Sequence, residues 1–196
     1  MIHIPKTKCF SGFLTTIGIL SVLSVQSMDT NPIQELDNLS NMIIITLGNR
    51  IITQREQQAA GQKITIQPLQ RSYFLECKKL TETTKLKPLV IRLFNTIDTI
   101  DNNLNYYLND PTNAALQSVL EGALDNCFRI RNLFLDTASQ ARMDNNEELR
   151  IIANIFLEIA NKIYDTTKTL MANGAVATTT ATTKKSKNVF KRLFGG

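Results

Sequence analysis

Apolar residues recur at three- and four-residue steps through most of the chain, the spacing that lines one face of an α-helix. The first series is Ile33, Leu36, Ser40, Ile43, Leu47, Ile51 and Gln54. It opens at Asn31-Pro32, an amide-capping side chain followed by the proline that suits a first helical position. Met42, Ile44, Ile45 and Ile52 widen this stripe, so the pattern predicts a helix set deep in the fold. Gly61 is its natural stop.

A short extended connector, "KITIQP", follows. Pro68 then predicts the start of a helix with Leu69, Tyr73, Cys77 and Leu80 on one face. Pro88 disturbs the pattern, either kinking one helix or dividing two. Beyond it, Leu89, Val90, Leu93, Phe94, Ile97, Ile100, Leu104 and Tyr107 form a very regular face. Asp110-Pro111 repeats the cap-plus-proline device before Leu116, Val119, Ala123, Cys127, Ile130 and Phe134. There Gly122 and Ala123 would permit close helix approach.

Asp144, three residues before Glu147, predicts a capping box, and Leu149, Ile152, Phe156, Ile159, Ile163 and Leu170 complete a last helix ending at Gly174. The expected fold is all-α: an antiparallel up-and-down bundle of four to five long helices. Sparse glycine and proline and an absence of tryptophan agree with it.

The two ends depart from this pattern. Residues 1–27 combine Lys6 and Lys8 with an apolar run from Phe10 to Val25 and the small-residue ending Val25-Gln26-Ser27. That order is a secretory signal, with cleavage expected near Ser27–Met28; the alternative is an N-terminal membrane anchor. The domain organisation is thus a signal peptide over 1–27, a helical bundle over 28–173, and a flexible Thr/Ala-rich linker with a basic amphipathic tail over 174–196.

Charge changes meaning once the ends are separated. The chain carries +5, yet residues 28–183 hold fifteen basic against 17 acidic side chains, about −2. The basicity belongs to the tail, where Lys184, Lys185, Lys187, Lys191 and Arg192 are threaded with Val189, Phe190, Leu193 and Phe194. In helical geometry the apolar residues share one side and the cations another, as in membrane-surface segments. Lys184, Lys185, Lys187, Phe190, Lys191, Arg192 and Phe194 are therefore the expected contact residues. The partner is a protein or an anionic surface such as a membrane or envelope; bulky apolar residues and export disfavour nucleic acid.

His3 is the sole histidine and lies in the segment expected to be removed. That leaves no base for a Ser-His-Asp or Cys-His system and no histidine zinc site. No glycine-rich phosphate loop occurs. The sequence therefore assigns no catalytic residue, no metal ligand and no cofactor, and shows no small-molecule substrate. Asp98 and Asp101 read as a solvated face, and Asp144, Glu147 and Glu148 as helix-start charges. Asn38-Leu39-Ser40 fits a glycosylation acceptor, but Ser40 falls on the apolar stripe.

In an exported chain Cys77 and Cys127 could close a bridge across about 50 residues, or remain two buried thiols. The function expected is non-enzymatic contact with a macromolecule or cell surface. The alternative is an enzyme or small-ligand carrier with a carboxylate-lined cleft that includes Asp98 or Glu158.

Overall fold

The computed structural model describes residues 31–194, with side chains from 31 to 175. Five helices follow in order: α1 (Pro32–Ala59), α2 (Arg71–Leu80), α3 (Lys87–Asn109), α4 (Ala114–Met143) and α5 (Glu147–Phe194). They pack as an up-and-down bundle. Among the described residues no strand forms and no helix is long and apolar enough to cross a membrane.

Helix directions follow from residue pairs. Phe134 stacks on Phe156 with ring centroids 5.6 Å apart, and Phe128 meets Tyr164 at 6.1 Å, so α4 and α5 run antiparallel. Gln54 Nε2 donates to Leu170 O at 2.8 Å and Gln58 Nε2 to Asn173 O at 3.4 Å, so α1 and α5 run the same way. The core gathers Leu36, Ile43 and Leu47 with Leu93, Ile100, Leu104, Phe134, Phe156 and Ile159, all fully buried. Each such side chain contributes about 1.5–3 kcal/mol on burial.

The central rod is α5, which packs on α1, α3 and α4. Helix α1 lies at the edge instead: Met42, Ile45 and Ile52 face outward, so they do not widen its buried stripe as the pattern suggested. That stripe is Leu36, Ser40, Ile43, Leu47, Arg50 and Gln54.

The descending second rod is a composite. Residues 62–70 run extended, and α2 supplies only ten helical residues, starting at Arg71 and not at Pro68. Pro88 sits at the start of α3 and divides two helices. Ile64 and Ile66, two residues apart on one side of the extended run, are both buried, so the segment fills the place of a helical stripe.

Two caps fall elsewhere than expected. Asn113, not Asp110, caps α4, accepting from Ala115 N and Leu116 N at 3.1 and 3.2 Å. Asp144 is the C-cap of α4, and Asn146 caps α5 by accepting from Leu149 N at 3.0 Å. Asn145 has φ 53°, while Asn146 N reaches Ala141 O at 2.8 Å, the left-handed closure that asparagine tolerates after a helix. Gly61, with φ 64°, closes α1 in the same way through Gln62 N to Gln57 O at 2.9 Å.

Gly174 does not end α5, and the Thr/Ala-rich run after it has a helical backbone. Once a helix is nucleated, each added residue gains a hydrogen bond, and no proline interrupts Glu147–Phe194. Gly174 serves packing: a Cβ there would sit 3.2 Å from Leu108 Cδ2. Gly122 is exposed and meets nothing within 4 Å, so the close approach of α4 falls to Ala123.

Candidate functional site

Helix α5 is 48 residues long and α4 is 30, so α5 exceeds its antiparallel neighbour by about 27 Å at 1.5 Å per residue. The excess carries the sequence-expected contact residues Lys184, Lys185, Lys187, Phe190, Lys191, Arg192 and Phe194 on continuous helical backbone. Their side chains lie outside the described part, as do residues 1–30 with the expected signal segment and His3.

The bridge between Cys77 and Cys127 is absent; both thiols are free and buried. Cys77 is on α2 and Cys127 on α4, helices with no Cα pair within 8 Å, whereas a disulfide needs Cα atoms closer than about 7 Å. Burial pushes both thiols up to about 12. Cys127 Sγ donates to Ala160 O at 3.4 Å. Thiols held protonated in this way are poor nucleophiles and poor metal ligands.

The carboxylates separate. Asp98 and Glu158 are exposed, and neither lines the clefts at Thr84 and Leu149, at Thr96 and Asn126, at Arg142 and Arg150, or at Phe128 and Tyr164. Asp101 is not on a solvated face: its side chain is 7 % exposed and holds the 4 % exposed Arg50 through two parallel bonds of 2.7 and 3.0 Å. It also accepts from Leu69 N at 2.7 Å. Among the described residues no three His, Cys, Asp or Glu side chains gather as a metal-binding group.

Asp101 begins a ladder on α3 that sequence reasoning missed. Asn105 Oδ1 accepts from Ile66 N at 2.7 Å while its Nδ2 donates to Ile66 O at 2.9 Å. Asn109 does the same for Ile64, at 3.0 and 2.7 Å. From α1, Gln57 brackets Thr65, accepting from its N–H at 2.7 Å and donating to its carbonyl at 3.4 Å. Side-chain amides thus replace the partner strand that an isolated extended segment lacks. The signal was available as Asp101, Asn105 and Asn109 at four-residue steps beside the alternation of "KITIQ".

The surface clefts are shallow and mixed. One of about 350 Å³ between α3 and α4 is lined by Asn95, Thr96, Thr99, Val119, Gly122 and Asn126. Another of about 380 Å³ between α4 and α5 includes Glu121, Asp125, Phe128 and Tyr164. Tyr107 is buried, and burial raises its hydroxyl above the ordinary value, whereas Tyr106 is exposed. Asn38 is exposed, whereas Ser40 belongs to the buried stripe on the other side of α1.

Searches of protein-family models, curated proteins and solved structures give no match to this chain.

Proposed function

We propose that this is an exported, non-enzymatic bundle protein that works by contact, engaging an anionic membrane or envelope surface through its C-terminal basic segment. One observation carries the reading: the backbone stays helical to Phe194, the geometry in which Phe190 and Phe194 share a side and the cations flank it. The helical extension also carries this segment beyond α4, its far end about 27 Å past it. Five cations at about 1 kcal/mol each near an anionic surface give roughly 5 kcal/mol. The aromatic residues add apolar burial to that attraction.

Deleting residues 184–196 and measuring co-sedimentation with anionic vesicles or with isolated envelopes tests this function. Loss of the bound fraction supports it; unchanged retention removes the segment from the mechanism. Export is tested by the intact mass of the native protein, expected to begin near Met28.

A further inference from the structure

Helix α1 turns a second line of side chains away from the bundle. Met42, Ile45 and Ile52 are 48, 63 and 55 % exposed. With Asn49 they follow the alternating three- and four-residue steps of a coiled-coil seam. Asn38 and Glu56 extend the same line at its two ends. The opposite face of α1 is already buried through Leu36, Ile43, Leu47, Arg50 and Gln54, so this line points away from the core of the described residues. Asp37 and Arg55 stand exposed along one flank of it, and neither joins an ion pair among the described residues.

We infer that this face is a self-association surface, with α1 of one copy lying antiparallel on α1 of a second copy of this chain. Charge fixes both the occupant and the direction. A two-fold axis at the level of Leu47 brings Met42 against the second copy's Ile52. It also sets Asp37 within two residues of the second copy's Arg55, about 3 Å along the axis. The flank carrying Asp37 and Arg55 faces its own equivalent under that symmetry, so two complementary pairs form from residues that join no ion pair among the described residues. Parallel pairing would set this flank against the second copy's opposite flank, leaving the Asp37 and Arg55 side chains of the two copies on opposite sides of the seam with no pair between them. Asn49 falls opposite the second copy's Ile45, a polar intrusion that costs strength and restricts register. Three apolar side chains per copy are fewer than a permanent dimer interface uses. The association is therefore reversible and concentration-dependent.

Sedimentation velocity of the full chain over a concentration series tests this, with Ile45→Glu, Asp37→Arg, Arg55→Asp and the combined Asp37→Arg/Arg55→Asp variants. All are surface changes, and circular dichroism checks that each keeps the helical fold. The expected result is a monomer–dimer equilibrium weakened about tenfold or more by Ile45→Glu, because a charge is then buried unpaired. Each single charge reversal weakens it several-fold, and the combined reversal restores it. A monomer at every concentration overturns the inference, as does association indifferent to Ile45→Glu, which would place the contact in another segment. A combined reversal no better than the single ones overturns the antiparallel arrangement, and unfolding of Ile45→Glu would show that the face belongs to the core.

Discussion

Arg50 on α1 and Asp101 on α3 join two helices that have no Cα pair within 8 Å. The long guanidinium spans the gap, with Nη1 to Oδ1 at 2.7 Å and Nη2 to Oδ2 at 3.0 Å, while Leu69 N takes Oδ2 at 2.7 Å. One carboxylate thereby fixes the first rod, the extended part of the second and the third. Its desolvation is offset because both oxygens are used.

Removing that carboxylate exposes the dependence. Asp101→Ala leaves Arg50 charged and buried, and is expected to cost about 3–5 kcal/mol in urea unfolding. Replacing both groups, as Arg50→Met with Asp101→Leu, should cost less than the single change, because no isolated charge remains. A double variant as unstable as Asp101→Ala would place the defect at Leu69 N instead.

The asparagine ladder predicts a local effect. Asn105→Ala strands the N–H and carbonyl of Ile66, and Asn109→Ala those of Ile64. Each should cost about 1–3 kcal/mol. Amide hydrogen exchange should quicken at residues 64–66 before it changes in α4 or α5. Uniform acceleration across all helices would mean that the connector is not a separate opening unit.

Two glycines on helices should respond in opposite directions. Gly122→Ala meets nothing within 4 Å and should stabilise by about 0.5–1 kcal/mol through reduced backbone freedom. Gly174→Val drives a branched side chain toward Leu108, where even a Cβ would stand at 3.2 Å. It should destabilise by about 1–3 kcal/mol. Thermal melts of the two variants give the comparison.

The buried thiols make stability fall at high pH. An unfolded thiol ionises near its ordinary value of 9.0, while Cys77 and Cys127 hold their protons up to about 12. Between those values the unfolded chain binds fewer protons, so folding weakens as pH rises from 9 toward 12 and is unaffected below. A Cys77→Ala/Cys127→Ala variant, though less stable overall, should show a smaller loss across that window. Native protein should also resist a thiol reagent at pH 8 until denaturant is added.

The sequence shows the bundle because helical faces repeat over many turns. The series from Leu89 to Tyr107 is buried apart from the half-buried Leu89, and Asn31 caps α1 as its identity suggests. What periodicity cannot supply is the choice between neighbouring candidates. Asp110 and Asn113, or Asp144 and Asn146, are alike as caps, and the turn geometry at Asn145 decides the second case. Apolar identity also failed to place α1: Met42, Ile45 and Ile52 fit a wide buried stripe, yet the central position went to α5. The polar ladder escaped because Asn105 and Asn109 resemble a solvated face until the segment they hold is in place.

Replacing Lys184, Lys185, Lys187, Lys191 and Arg192 by glutamine removes charge from the segment while keeping helix-forming side chains. Co-sedimentation of parent and variant with vesicles containing anionic lipid, at low and high salt, is the most direct measurement of surface contact. Binding by the parent should weaken with salt and fall sharply in the variant, with little capture by uncharged vesicles in either case. Equal retention of the two proteins, or equal capture by charged and uncharged vesicles, would contradict the account.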